Sequence, residues 1–156
     1  MGEMMTAKEY LNQIRLLDRK IDQRIQEAEE LRQIAYGLRS PDISGDHVQT
    51  SPAGDSVGNA VSKYLDMEAE IDAMVDRLVN LKHKIIGEIH ELKDPRLVEL
   101  LYLRYVKLMR LEEIACTMKK ADGGAYNYEY IRRLHGKSLK EFSKCHSKVT
   151  FACDTV

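Results

Sequence analysis

The stretch "YNYEYIRRLHGKSLKEF", residues 126–142, gathers the side chains best suited to chemistry with an anionic partner. Arg132 and Arg133 bring guanidinium groups, which bond phosphates and the O6/N7 edge of guanine, while Lys137 and Lys140 are compact phosphate partners. Tyr126, Tyr128 and Tyr130 add rings that stack and hydroxyls that donate and accept. At about 100° per residue from Ile131, the residues Leu134, Ser138 and Phe142 fall within roughly 60° of it, with Leu139 close behind. Glu129, Arg133, Gly136 and Lys140 fall opposite, flanked by Lys137 and Lys144, with Arg132 at one edge. Two readings follow for that outer face. It is either solvated and knitted by an i,i+4 Glu129–Arg133 pair, or a surface built to touch something. Gly136 costs a helix interior roughly 1 kcal/mol against Ala. A glycine there permits close backbone approach or relieves crowding against another helix.

Other chemistry is poorly supplied. "ADGGA" lacks both the strand–helix context and the Lys-Ser/Thr of a phosphate-binding loop. No Ser/His/Asp, Cys/His or metal–carboxylate set stands out, so neither an enzyme nor a cofactor is expected. His135 lies about 40° from Ile131 on the same wheel and is expected to pack or to touch phosphate. Cys116, Cys145 and Cys153 form no disulfide framework and suit reduced thiols. Cys145, His146 and Cys153 lack a zinc spacing and a fourth ligand. His83 and His90 are expected on a solvated flank.

The elements that must position the opening stretch are helical. From Thr6 to about Leu38, apolar residues recur in steps of three and four: Leu11, Ile14, Leu17, Ile21, Ile25, Ala28, Leu31 and Ala35. Thr6 and Glu9 form a capping-box signature, and Gly37 and Pro41 suit the end. Residues 39–60 carry Ser, Asp, Gly and Pro and are expected to form a loop. Val61, Leu65, Ile71, Val75, Leu78, Leu81, Ile85, Ile89 and Leu92 then mark a second helix of about 45 Å. Two such helices bury their stripes in an antiparallel hairpin or, alternatively, in a homo-oligomer.

Pro95, with Asp94 as N-cap, opens a helix expected to run through Leu97, Leu100, Leu101, Tyr105 and Leu108. "LEEIACTMKK" follows, with Ile114, Ala115 and Met118 facing inward and Glu112 and Glu113 at its positive end. Asn127 can cap the final helix. Domains are therefore expected at 1–93 (the hairpin) and 94–144, with 145–156 a poorly ordered tail.

Net charge is −1 overall, but residues 94–148 hold 12 Lys and Arg against 7 Asp and Glu, a net +5 that leaves −6 elsewhere. Such asymmetry suits nucleic-acid binding by the basic part. No apolar run approaches the ~20 residues of a membrane span, and the N-terminus has no signal-peptide core. "MGEMMT" matches the myristoylation pattern only formally. No membrane partner and a cytoplasmic, nucleoid-associated location are expected.

"LVELLYLRYVKLMRLEEIACTMKK" followed by "YNYEYIRRLHGKSLKEF" resembles the helix-turn-helix of sigma factor region 4. In particular it resembles the small sigma-like proteins of phages and prophages of Gram-positive bacteria, related to ArpU/RinA-type late transcriptional regulators. "LRYV" at 103–106, "EEIA" at 112–115 and "YNYEYIRRLHGKSL" at 126–139 carry the likeness. "HVQTS" at 47–51 before a long acidic-apolar helix extends it over roughly residues 5–143. The resemblance implies an all-α fold, a long N-terminal antiparallel hairpin followed by a helix-turn-helix that binds double-stranded DNA. The helix at 127–142 would enter the major groove. By that likeness the DNA-contacting residues are Tyr128, Glu129, Arg132 and Arg133; Gly136 suits close backbone approach to DNA, Lys137, Lys140 and Arg110 suit phosphates, and Tyr130 either packs or touches phosphate. The hairpin would bind a partner, RNA polymerase by the same likeness. The chain departs from the pattern at "KADGGA", 120–125, an insertion in the turn, and at Lys119, where a turn glycine is common. A terminase small-subunit kind of packaging protein and a purely structural helical protein are the competing functions.

Overall fold

The structure is a computed structural model that describes residues 5–36 and 53–146. It is all-α, with helices α1 (Ala7–Ala35), α2 (Ala53–His90), α3 (Pro95–Leu101), α4 (Leu111–Thr117) and α5 (Tyr128–Cys145). Helix α1 opens with the capping box its sequence announces. The Thr6 N–H donates to Glu9 Oε2 at 2.7 Å and the Glu9 N–H to Thr6 Oγ1 at 3.3 Å. Helices α1 and α2 pack antiparallel. The pairs Tyr10 with Glu88, Arg24 with Glu70 and Tyr36 with Tyr64 climb one helix as they descend the other. Helix α2 begins at Ala53, well before the end of the loop expected over 39–60. Its apolar-poor start offered no periodic stripe to mark it as helix. Residues 37–52, which include Gly37 and Pro41, lie outside the described residues.

The chain forms two compact units, Met1–Leu17 with Leu78–Val156, and Asp18–Arg77. In the first, the base of the hairpin shares a core with the C-terminal helices. Leu11, Ile14, Ile85 and Ile89 are fully buried, as are Leu100, Ile114, Ile131 and Phe142. The phenol of Tyr10 donates to Glu88 Oε2 at 2.8 Å while its ring stacks on Phe142, 6.3 Å between centroids. In the second unit only Ile21, Ala28 and Ala35 are buried among the described residues. Ile25, Leu65 and Val75, expected on the buried stripe, are exposed, because a hairpin of two helices can cover only the line where they touch.

Helix α3 starts as its sequence dictates, on Pro95 with Asp94 Oδ1 accepting from the Arg96 N–H at 3.0 Å. It does not continue to Leu108. A π-helical turn occupies Tyr102–Val106, with the Lys107 N–H bonded to the Tyr102 carbonyl and the Met109 N–H to that of Leu103. Leu108 adopts φ 58°, so the chain ends the helix through a left-handed residue. A non-glycine residue there costs roughly 1–2 kcal/mol. The Arg104 side chain offsets part of this by bonding the Met109 carbonyl at 2.8 Å.

Candidate nucleic-acid interface

Helix α4 begins with the Arg110 N–H donating to Glu113 Oε2 at 2.8 Å, so Glu113 satisfies a helix-end donor as its position predicts. Ile114, Ala115 and Met118 turn inward. Asn127 caps α5, its Oδ1 accepting from the Glu129 N–H at 2.8 Å. The buried residues of α5 are Ile131, Leu134, Ser138 and Phe142, the line the helical periodicity places inward. The Ser138 hydroxyl is satisfied by the His135 carbonyl at 2.7 Å.

That inner line fixes the outer one. Glu129, Arg132, Arg133, Gly136, Lys137 and Lys140 are all exposed on α5, and Tyr128 is exposed at its start. Glu129 pairs with Arg132 (3.5 Å) and not with Arg133, so the i,i+4 pair expected from spacing is replaced by an i,i+3 pair. Both geometries bring helix neighbours into reach. Arg133, Lys137 and Lys140 have no carboxylate within ion-pair distance among the described residues, whereas Lys144 is held by Glu141 at 2.9 Å. The Glu141 carboxyl is lowered by that hydrogen bond first and by Lys137 more weakly. A Cβ built on Gly136 would meet nothing within 4 Å. Packing inside this chain therefore does not require glycine there. Arg110 is exposed ahead of α4, on a separate element.

His135 is half-buried, its Nε2 3.0 Å from the Tyr105 hydroxyl and its ring stacked on Tyr105 at 5.8 Å. Burial, followed by the nearby Arg104 and Lys8 charges, lowers its pKa to about 4. The ring is neutral at pH 7 and packs on Tyr105. His146, placed in the tail by the sequence, is buried at the end of α5. It donates from Nε2 to the Glu88 carbonyl at 3.1 Å and lies 4.4 Å from the Phe142 ring. Residues 147–156 lie outside the described residues. No group of three or more His, Cys, Asp or Glu suited to a metal ion occurs among the described residues, and no helix among them is long and apolar enough to cross a membrane.

The segment 118–127 is folded. Lys119 bridges Ala125, the Lys120 N–H bonds the Gly124 carbonyl and the Gly123 N–H returns to the Lys120 carbonyl, each of these two bonds at 2.9 Å. Gly123, at φ 83°, supplies the left-handed residue of a three-residue hairpin loop. Asp122 Oδ1 accepts from the Gly124 N–H at 2.8 Å. The Tyr126 N–H then bonds the Ala115 carbonyl at 3.1 Å, tying the hairpin to α4.

Sequence reasoning missed a cluster beside this hairpin. Tyr126 and Tyr130 stack face to face, 5.0 Å between centroids and 7° between planes. Arg96 Nη1 donates to the Tyr130 hydroxyl at 3.1 Å, and Lys120 Nζ lies 5.9 Å over the Tyr126 ring. Asp94 fixes Arg96 through Nη2 at 3.1 Å. Arg96 most of all, and Lys137 more weakly, hold the Asp94 carboxyl below its ordinary range. The four-residue step from Tyr126 to Tyr130 was a usable signal for the stack. Nothing local pointed to Arg96. No protein-family model, curated protein or solved structure matches the chain.

Proposed function

We propose that the protein is a sequence-specific, double-stranded-DNA-binding transcriptional regulator of the phage or prophage type, with α5 as its major-groove helix and α4 as the supporting helix. What supports this most is the outer face of α5. Arg133, Lys137 and Lys140 stand there without carboxylate partners among the described residues, around a glycine whose missing Cβ serves no packing inside the chain. A merely solvated face gains nothing from that glycine, whereas a helix pressed against a phosphate strand or a base edge does. The sigma-region-4 likeness of "EEIA" and "YNYEYIRRLHGKSL" points to the same pair of helices. Arg132 and Arg133 are suited to guanine edges, Glu129 to cytosine N4, and Lys137, Lys140 and Arg110 to phosphates.

The test is duplex selection from a randomised pool, followed by binding across a range of salt. Arg133→Ala is expected to relax preference at one or two positions, losing about 1–3 kcal/mol of discrimination. Lys140→Ala is expected to weaken all duplexes alike. Absence of duplex binding at low salt would overturn the proposal.

The N-terminal hairpin would bind a partner protein, RNA polymerase by the family likeness. The exposed Ile25, Ile34 and Leu65 of the second unit favour one further reading, a terminase small-subunit kind of packaging protein that oligomerises through these helices. A ring-sized mass in solution, together with preference for packaging-site DNA, distinguishes that role from regulation.

A further inference from the structure

We infer that Lys120, Arg96 and Tyr130 form a second, sequence-independent contact to the DNA backbone, beside the groove entered by α5. The inference rests on the DNA-binding proposal and extends it to residues on three separate segments. The turn insertion that carries Lys120 is a folded hairpin, closed by two backbone bonds and by Gly123 in the left-handed conformation. It is also anchored, because the Tyr126 N–H bonds α4 and the Tyr126 ring lies flat on Tyr130 of α5. The backbone that carries Lys120 is therefore fixed relative to α5, with little loop entropy left to lose on binding.

The chemistry of the cluster suits a phosphodiester. The Tyr130 hydroxyl accepts from Arg96, so its own O–H is free to donate outward, and no acceptor takes it among the described residues. Arg96 spends its Nε and Nη2 on Asp94 and its Nη1 on Tyr130, and Asp94 aligns it without enclosing it. Lys120 is exposed and meets a ring and no carboxylate among the described residues. A cation on the hairpin, a guanidinium at the start of α3 and a hydroxyl donor at the start of α5 are thus linked through the Tyr126–Tyr130 stack. An ammonium, a hydroxyl and a guanidinium already held by Asp94 suit phosphate oxygens better than base edges, so the contact positions the protein and does not select sequence. Lys119, the sequence neighbour of Lys120, bridges Ala125 and has no ring contact among the described residues, so it serves as the control.

The experiment measures binding of the full chain to mixed-sequence duplex and to a duplex selected by the wild-type protein, each across a salt series. Lys120→Ala is expected to make the slope of log K against log salt shallower by about 1 on both duplexes. Tyr130→Phe is expected to lower affinity several-fold on both, with the order of sequence preference unchanged. Lys119→Ala is expected to leave the slope as it is, and thermal melting of all three variants to stay near that of the wild type. Gly123→Ala disturbs the hairpin without removing a charge and is expected to reproduce part of the Lys120→Ala loss. Wild-type binding with unchanged slope in Lys120→Ala and unchanged affinity in Tyr130→Phe would overturn this inference and leave the role of α5 standing. A wild-type protein that binds neither duplex at low salt would overturn both.

Discussion

In the unit made of Met1–Leu17 and Leu78–Val156, five helical segments close over one core, and the unit carries 17 Lys and Arg against 12 Asp and Glu. In Asp18–Arg77, two helical segments lie side by side with 7 Lys and Arg against 13 Asp and Glu, and Ile25, Ile34, Tyr36, Leu65 and Val75 are exposed. Both share the same two helices, and both show apolar steps of three and four. The difference lies in what covers the stripe. Near its base the stripe meets α5, through Tyr10 on Phe142 and His146 at the Glu88 carbonyl, while in Asp18–Arg77 each helix has only the other among the described residues. A cleft of about 340 Å³ lined by Ile25, Ala28, Tyr64 and Ile71, with Glu29, Glu68 and Asp72 around it, remains open in the acidic unit. Periodicity thus reports an apolar face, and burial needs a third body.

The comparison is broken most directly at its two cores. Phe142→Ala, in the basic unit, is expected to cost about 3–5 kcal/mol in urea unfolding. Ile25→Ala, half-exposed in the acidic unit, is expected to cost less than about 1 kcal/mol. Equal costs would mean that Ile25 is covered in the protein's solution state and that the acidic unit is not the less covered one.

The basic unit also carries a pH signature. His135 titrates at about 4 in the folded chain against an ordinary 6.5, so the unfolded chain binds more protons between these values. Stability is then present in full above about pH 6.5 and falls as pH drops toward 4. The ring is half-exposed, and after discounting for solvent screening the loss is about 1–2 kcal/mol. Denaturant melts at pH 7 and pH 4.5 should show it, and His135→Gln should remove most of the difference.

Asn127→Ala removes the cap of α5 and is expected to cost about 1 kcal/mol, seen as a lower urea midpoint. Gly136→Ala sharpens the contrast between folding and binding. With open space around the added methyl it is expected to stabilise the fold by about 0.5–1 kcal/mol while weakening duplex binding. A stabilised variant that binds DNA as the wild type does would remove the case for close approach at Gly136.

Much of this is legible in the sequence alone. Thr6, Asp94 and Asn127 cap helices because a short oxygen-bearing side chain before an apolar-periodic run has few better uses. The inner line Ile131, Leu134, Ser138 and Phe142, and with it the outer line of Glu129, Arg133, Gly136 and Lys140, follows from helical geometry alone. The left-handed Leu108 was not legible, because leucine carries no signal for that conformation. Glu129 chose Arg132 over Arg133 by rotamer, which spacing cannot decide between two allowed partners.

By itself, then, the sequence determined that the chain is helical, where most helices are capped and which face of α5 is polar, since each of these depends on interactions within a few residues of chain. Only the tertiary structure decided that the hairpin base and the C-terminal helices share one core. It alone brought Arg96 to Tyr130, 34 residues apart, and left the outer stripe uncovered. Those outcomes depend on which distant surfaces meet, and local periodicity holds no information about that.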